Sequence, residues 1–361
     1  MVEWKKKRAA KACGVVDIGG QAVMEGVMMK APRAIAVAVR KPDGSVAVED
    51  RPYTPLSERH KWMGWPFVRG CVNMVVMLKM GMETLSQSTR MLGIMEEEPS
   101  KFEKWLARKL GKSIDKIVMT VAAVLAVALS VFLFVMLPSV AGTLINQITS
   151  SPILVNLISG LVRIAILVAY IWLMGQVPDM RRVFQYHGAE HKTVYCHEHG
   201  QPLTPQNARR YSTLHPRCGT SFLLLVMMIS ILVGAVADQL ILLVTGLARL
   251  SYPVRLLRSL LLIPILTGIS FEALKGLAHA DTPLVRALRW PGLMMQKLTT
   301  REPDDDMLQV AIVAMQTALA RSAEVEAARG GGAPAPVAPS EKPAPGSPDA
   351  LGDPEAPKAP Q

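Results

Sequence analysis

Four stretches of this chain carry few or no charges over the length of a membrane-spanning helix. A helix needs about 20 consecutive apolar residues to cross the hydrocarbon core of a bilayer. The four stretches cover 117–137, 153–175, 219–246 and 254–278, and Pro138 directly follows the first of them. We therefore predict four transmembrane helices, which together form a membrane domain at 113–278.

Six charged residues fall inside these predicted spans, and three of them bear on how the spans pack together. Arg163 lies in the second span, Asp238 in the third and Arg258 in the fourth. At about 1.5 Å per residue, Asp238 and Arg258 reach a similar depth, whereas Arg163 is about 10 Å shallower. We expect Asp238 and Arg258 to form an ion pair, because a lone charge in hydrocarbon is unfavourable. Arg163 would reach Asp238 only by extending its side chain.

Lys and Arg residues are distributed unevenly between the spans. The link 138–152 has none, the link 176–218 has six, and the segment 279–301 has four. Short connections that are rich in Lys and Arg remain on the cytosolic side of a membrane. Four spans with this orientation leave both termini and the 176–218 link in the cytosol.

The segment ahead of the spans has a different pattern. Within 1–60, apolar residues at 34–40 and 45–48 flank a Pro-Asp-Gly turn, which predicts a β-hairpin in a small α+β domain. Within 61–112, the apolar stretch 62–93 contains Arg69 and Lys79 and is too polar for a span. This pattern favours an interfacial or re-entrant helix, followed by a charged connector at 96–112.

The C-terminal part of the chain divides into two segments. The first, 279–329, is predicted to be a cytosolic helical segment, with one helix from 304 to 329 that begins with acidic residues. The second, 330–361, is rich in Pro, Ala and Gly, and we expect it to be disordered. The predicted fold class is a mainly α membrane protein of about four transmembrane helices, with a small N-terminal α+β cytosolic domain.

Composition agrees with a membrane location. Half of the residues are hydrophobic, 19% are charged, and the mean hydropathy is +0.27. The net charge of +11 accompanies only 5% aromatic residues, which argues against a base-stacking nucleic-acid surface. The expected partner is therefore the lipid bilayer and not a nucleic acid. Four irregularly spaced cysteines do not form a disulfide framework, so we expect reduced thiols or metal ligands.

The chemistry is concentrated in the 176–218 link. His187-Gly-Ala-Glu190-His191 is an H-x-x-E-H sequence, and on a helix these three polar residues share one face. Two imidazoles can then hold a zinc ion or another divalent metal, with Glu190 beside it as a base. The alternative is a pair of histidines at a helix end with no metal.

Further metal-ligand types follow directly downstream. Cys196 and His199, then His215 and Cys218, have the spacing of a four-ligand zinc knuckle. Two arrangements compete. The link holds either a structural site separate from the two histidines of the H-x-x-E-H sequence, or an open site that His215 and Cys218 complete.

Four separated motifs, in this order, resemble a known family: Gly19-Gly-Gln-Ala-Val-Met-Glu-Gly-Val-Met-Met29, Tyr186-His-Gly-Ala-Glu-His-Lys192, His215-Pro-Arg-Cys-Gly-Thr-Ser-Phe222 and Thr300-Arg-Glu-Pro303. They are similar to the YqhQ-type bacterial membrane proteins, which are described as predicted metal-dependent enzymes. The likeness covers about 13–320. It implies a metal, a multi-pass location in the bacterial cytoplasmic (inner) membrane and no particular substrate. The positions that match the family's site are His187, Glu190, His191, Glu198, His215 and Cys218.

The first of these motifs contains a second acidic candidate. Glycines around Glu25 allow close approach of the backbone to a ligand, so Glu25 is a candidate acid, base or additional ligand. The alternative is a tight turn that leads into the hairpin, with Glu25 solvated or paired with Arg33 or Lys30.

Two classes of function remain. The first is a zinc-dependent membrane hydrolase of unknown substrate, with His187 and His191 as ligands and Glu190 as the base. In this class Glu272, at the inner end of the fourth span, is a further candidate ligand. The second is a non-enzymatic transporter component, regulator or assembly factor, in which the metal is structural; Arg163 and Asp238 would suit a transport path.

Overall fold

The computed structural model describes residues 16, 18–93, 114–149, 151–246, 250–279 and 282–330. The predicted connector at 96–112, and all but the first residue of the predicted tail at 330–361, lie outside these ranges. The described chain is mostly helical, with one small sheet. The helices are α1 Leu56–Arg59, α2 Val68–Met91, α3 Ile114–Val131, α4 Leu137–Ile148, α5 Pro152–Met174, α6 Pro178–Glu198, α7 Pro205–Arg209, α8 Gly219–Thr245, α9 Tyr252–His279, α10 Pro283–Thr299 and α11 Asp305–Ala328.

The sheet contains four antiparallel strands in sequence order, β1 Gly19–Val23, β2 Gly26–Lys30, β3 Ala34–Arg40 and β4 Val46–Pro52. β3 and β4 form the predicted hairpin. The glycine-rich segment ahead of it is more than a turn, because β1 and β2 form a second hairpin. In this second hairpin, the apolar residues point to both faces of the sheet, and both faces are buried. The alternation of apolar and polar residues that marks a half-exposed strand is therefore missing from the sequence.

Helices cover both faces of the sheet. One face, which carries Val27 and Met29, packs against α6 and α11. The opposite face, which carries Met28 and Val37, packs against α2 through Met80. The apolar burial on both sides holds the sheet between the two helical layers.

Four helical segments are long and apolar enough to cross a membrane, in agreement with the prediction: Val121–Ile148, Ile153–Met174, Leu223–Thr245 and Leu256–Ala273. The first is longer than predicted, because Pro138 does not end it. A π-helical segment, Phe132–Met136, joins α3 to α4 directly before this proline. A π-helix joins residues five apart through its hydrogen bonds, whereas an α-helix joins residues four apart. This change of spacing accommodates Pro138, which has no N–H to donate, so the helix continues.

Polar residues connect the candidate spans to one another. The predicted ion pair is confirmed, since Arg258 Nε lies 3.0 Å from Asp238 Oδ1. Asn156 on α5 also donates to Asp238 Oδ2 at 2.7 Å. Arg163 binds the hydroxyl of Ser230 at 3.3 Å. These contacts tie α5, α8 and α9 together.

Helix α2 joins the sheet to α9. A Cβ atom at Gly70 would lie 3.2 Å from the Cα of Gly268, so the two helices cross at close range. Next to this crossing, the thiol of Cys71 lies 3.2 Å from the carbonyl oxygen of Pro264. The C-terminal half of α2 covers the sheet. Its outer side exposes an apolar stripe, which fits the interfacial helix expected here: Val75, Leu78, Met82 and Leu85.

Candidate metal centre

Helix α6 carries the H-x-x-E-H sequence and packs against the sheet and α11. It begins four residues after α5 ends, with Pro178 in its first turn. Gly188 lets this helix approach the strand-like segment before α11, because a Cβ atom there would lie 2.0 Å from the carbonyl oxygen of Arg301. The residues from Gly188 to Val194 are buried as a result.

His187 and His191 face the thiol of Cys218. The ligand atoms of these three residues all lie within 4.8 Å of one another. The two imidazole centroids are 4.4 Å apart, and His187 Nε2 lies 3.3 Å from Cys218 Sγ. Cys218 is the N-cap of α8, so the chain returns to α6 at the start of a candidate span. This is the one such group of three or more His, Cys, Asp or Glu residues within the described ranges.

Backbone carbonyls determine the tautomer of both neutral histidine rings. Nδ1 of His187 donates to the carbonyl oxygen of Thr299 at 2.9 Å, and Nδ1 of His191 donates to that of Thr213. A carbonyl oxygen only accepts, so in the neutral ring the proton is on Nδ1 and Nε2 carries the lone pair. Such contacts orient the histidine ligands of metal sites.

The donor set fits zinc. Zinc–sulfur and zinc–nitrogen bonds of about 2.3 and 2.0 Å at a tetrahedral angle place the two donor atoms about 3.6 Å apart. The distance of 3.3 Å between Cys218 Sγ and His187 Nε2 is close to this value. Three protein ligands leave the fourth tetrahedral position open, which is typical of catalytic and not of structural zinc sites.

Glu190 lies beside this group but outside it. Its side chain is 7% exposed and packs over Gly20 on β1, where an added Cβ atom would lie 2.7 Å from Glu190 Cγ. Glu190 also lines the cavity that the three candidate ligands face. The side chain is therefore positioned as a neighbour of the cluster rather than as one of its ligands.

The cavity has a volume of about 1150 Å³. Its walls come from β1, from α2, from α6, from the start of α8 and from α11. It extends from the cluster to Arg33, whose guanidinium pairs with Glu58 and Glu326. The cluster therefore opens onto a space large enough for an organic ligand.

His215 and Glu198 support the cluster from one side. The ring centroid of His215 is 5.6 Å from that of His191, and its Nε2 is 3.5 Å from Glu198 Oε1. Glu198 also contacts the guanidinium of Arg217. Gln296 on α10 exchanges two hydrogen bonds with the backbone of His215, at 2.7 and 2.8 Å. The structure thus places both predicted residues next to the cluster and not in the three-ligand group.

The structure does not bring Cys196 and His199 to the cluster. The Cys196 thiol is fully buried in the core between α6 and α11 and lies 3.4 Å from the carbonyl oxygen of Pro202. Burial raises the pKa of this thiol to about 11. His199 Nδ1 donates to the carbonyl oxygen of Tyr195. This geometry favours the open site over a separate four-ligand knuckle.

Glu25 lies apart from the cavity walls. Both of its carboxylate oxygens contact the guanidinium of Arg182, rather than Arg33 or Lys30, and Tyr186 donates to it at 3.3 Å. Burial, together with the Glu25 charge, raises the pKa of the Tyr186 phenol. Glu25 therefore connects the β1–β2 turn to α6.

Glu272 is also separate from the three-ligand group. Its carboxylate pairs with Arg69 at 2.5 Å and accepts from the backbone N–H of Phe67 at 3.2 Å. Its predicted position at the same membrane face as the histidines does not make Glu272 a ligand, because its carboxylate pairs with Arg69 on α2. Its contacts hold α2 against α9.

Several residues that shape the site were not predicted. Thr213 and Thr299 act through backbone carbonyls, which any residue type provides, so the sequence carries no direct signal for them. Thr299 directly precedes the Thr300-Arg-Glu-Pro303 motif, which pointed to this segment. Gln296 has no signal of its own. Gly20 leaves room for the Glu190 side chain, because it has no side chain of its own. This role is visible only once β1 is packed against α6.

Comparisons with known proteins identify the family of this chain. Residues 65–321 match the family described as protein of unknown function, DUF1385. The chain belongs to this family. It is also 33% identical over 297 residues to the uncharacterized protein YqhQ of Bacillus subtilis (strain 168), which covers 81% of this chain and 89% of that protein. No solved structure matches. The DUF1385 match contains the whole three-ligand group, and the likeness to YqhQ-type proteins that the motifs indicated is confirmed.

Proposed function

We propose that this protein is a zinc-dependent hydrolase of the bacterial cytoplasmic membrane, with its site at the cytosolic face. The observation that carries the proposal is the convergence of His187, His191 and Cys218 at the wall of a cavity that also contains Glu190. A closed structural site has four protein ligands and no adjoining space. Three ligands, a neighbouring carboxylate and a cavity support catalysis instead.

Each residue of the site has a separate task. Bound zinc would supply Lewis acidity and an activated water at its open position. His187 and His191 present Nε2, because Nδ1 donates to Thr299 and Thr213. Glu190 accepts the proton of the attacking water and returns it to the leaving group. Its side chain lines the same cavity as the three donor residues.

The location follows from the apolar helices and the charge distribution. Cys218 lies five residues before the candidate span that begins at Leu223, which corresponds to about 8 Å along a helix. The site is therefore close to the membrane surface. The excess of Lys and Arg in 176–218 supports a cytosolic location for this surface and for both termini.

The decisive variant is Glu190→Gln, which keeps size and hydrogen bonding but removes the base. We expect zinc content and thermal unfolding temperature to be unchanged, and complementation of a deletion strain to be lost. Asp179→Asn is the matched control, because Asp179 lies in the first turn of the same helix but is exposed and is not part of the cavity wall. It should retain function. His187→Ala should lower zinc content, which metal analysis of the purified protein measures.

Full complementation by Glu190→Gln would refute the hydrolase while leaving the metal site intact. Absence of stoichiometric metal from the wild-type protein, after purification in zinc-containing buffer, would refute the metal site itself.

A second candidate function is a non-enzymatic transporter component, regulator or assembly factor. It is favoured by Arg163, an intramembrane cation that, within the described ranges, contacts Ser230 and no carboxylate. Uncompensated charges inside a membrane domain commonly mark substrate or ion pathways. This candidate predicts that Glu190→Gln has little effect, and that Arg163→Gln abolishes function with zinc content unchanged.

A further inference from the structure

The hydrogen bonds of the sheet determine which groups of β1 face outward. Ala31 N–H donates to the carbonyl oxygen of Ala34, and Arg40 N–H donates to that of Glu25, at 2.9 and 2.8 Å. In an antiparallel pair, residues alternate between those that bond to one neighbouring strand and those that bond to the other. The odd-numbered residues of β2 therefore bond to β3, and its even-numbered residues bond to β1.

The register between β1 and β2 completes this assignment. The even-numbered residues of β2 lie opposite Gly19, Gln21 and Val23. Gly20 and Ala22 therefore direct their N–H and C=O groups away from the sheet. Within the described ranges, no strand lies beyond β1, and no hydrogen bond is formed by the outward groups of these two residues. The edge is free.

The free edge opens into the cavity. Gly20 and Ala22 lie on the face of the sheet that packs against α6, and Gln21 lies on the opposite face, near α2. The cavity is lined by all three residues. A space that reaches both faces of one strand must pass around its edge. It therefore connects the outward backbone groups of β1 to Glu190 and to the three-ligand group.

We propose that β1 binds an extended polypeptide segment by strand addition, beside the His187, His191 and Cys218 cluster. The inference rests on the proposed function and specifies its substrate class, since the bound polypeptide would be the molecule that is hydrolysed. The outward groups of Gly20 and Ala22 repeat at about 6.8 Å, which matches the period of an added strand. Strand addition of this kind supplies affinity through the main chain.

Two features favour a polypeptide over a lipid. An acyl chain has no groups to pair with backbone donors and acceptors, whereas unpaired groups at a strand edge are a template for another strand. Gly20 carries no side chain that would stand between Glu190 and an added strand. The volume of about 1150 Å³ also exceeds the 300–1,000 Å³ range of typical small-molecule sites.

Binding is tested on the full chain in phospholipid nanodiscs, with Glu190→Gln to prevent cleavage. The probe is a fluorescein-labelled peptide of alternating valine and threonine, flanked by lysines, and anisotropy gives its dissociation constant. Two isomers carry N-methyl groups on alternate amides. Since a strand pairs through one set of amides, we expect one isomer to bind at least tenfold more weakly than the parent, and the other to bind equally well.

Ala22→Pro tests the protein side of the pairing. It removes an outward N–H that forms no bond within the sheet, and proline is tolerated at strand edges. We expect the dissociation constant to rise about tenfold, which corresponds to one backbone hydrogen bond. The control is Val48→Pro, at an outward position of β4 on the opposite edge, where Pro52 already occupies an outward position. It should bind the parent peptide normally.

Equal binding of both N-methylated isomers would overturn strand addition, even where Ala22→Pro fails to fold. Strand addition would also be overturned if a fluorescent lysophosphatidylglycerol bound tightly and displaced the parent peptide equally with and without the Ala22→Pro substitution. The proposed function fails separately, through its metal content and the Glu190→Gln phenotype. Peptide pairing in a protein that binds no zinc would retain the strand-edge site and refute only its hydrolytic role.

Discussion

The substitution Gly188→Ala should separate the metal ligands from the backbone that orients them. Gly188 lies between His187 and Glu190, and an added Cβ atom would stand 2.0 Å from the carbonyl oxygen of Arg301. Ordinary contact begins at 3.4 Å, so the two backbones must move apart by about 1.4 Å. The oxygen belongs to main chain and cannot rotate away, so α6 or the segment near Arg301 must shift.

Two hydrogen bonds cross the same contact. Arg301 N–H donates to the carbonyl oxygen of Phe184 at 2.9 Å, and His187 Nδ1 donates to that of Thr299 at 2.9 Å. Overpacking costs about 1–3 kcal/mol, and each lost hydrogen bond adds about 1 kcal/mol. The better helix propensity of alanine offsets about 1 kcal/mol. We therefore expect the free energy of unfolding to fall by about 2–4 kcal/mol.

Zinc affinity should fall as well, by about ten- to a hundredfold, because the contact that orients the His187 ring is lost. The assays are thermal unfolding in detergent and zinc titration against a competing chelator. Gly276→Ala on α9 is the control, since nothing lies within 4 Å of an added Cβ atom there. It should leave zinc affinity unchanged and stability equal or slightly higher. A Gly188→Ala protein with wild-type stability and zinc affinity would refute the reasoning.

Two further predictions follow from the packing. Gly20→Ala should displace Glu190 and abolish function with zinc retained, because the added Cβ atom would meet this side chain at 2.7 Å. Gly19→Ala is the control and should be active, because an added Cβ atom there meets nothing within 4 Å. Equal activity of the two variants, measured by complementation, would contradict this prediction. Asp238→Asn should lower the free energy of unfolding by about 3–5 kcal/mol, because it removes the carboxylate charge that pairs with Arg258; an unchanged unfolding temperature would show that the pair is not structural.

The helices of the membrane domain were predictable because each carries its own signal. Long apolar runs with few charges locate α5, α8 and α9 within a few residues. The ion pair between Asp238 and Arg258 followed from equal depth and the unfavourable energy of a lone charge. The extension of the first span through Pro138 was not predictable, because the π segment that accommodates the proline depends on main-chain geometry.

The candidate site was predictable in part. His187 and His191 follow from the spacing of one helix turn, whereas Cys218 joins them only because the chain returns through α7 to the start of α8. Glu272 shows the limit of arguments from topology, since Arg69 takes its carboxylate. For Glu25 the partner is Arg182, which lies 157 residues away along the chain. Sequence spacing predicts contacts within an element, and it predicted a contact between elements only where two residues share one depth, as Asp238 and Arg258 do.

Cys218 belongs to two parts of the molecule at once. It caps a helix that is long enough to cross a bilayer, while the histidines that it faces belong to α6, outside the candidate spans. A transmembrane helix tilts when the hydrocarbon thickness around it changes. Tilting α8 would move the Cys218 thiol relative to the imidazoles of His187 and His191, and would change the distances between the donor atoms. Under the proposed membrane location, the thickness of the bilayer would therefore influence how well the three donors hold a metal ion.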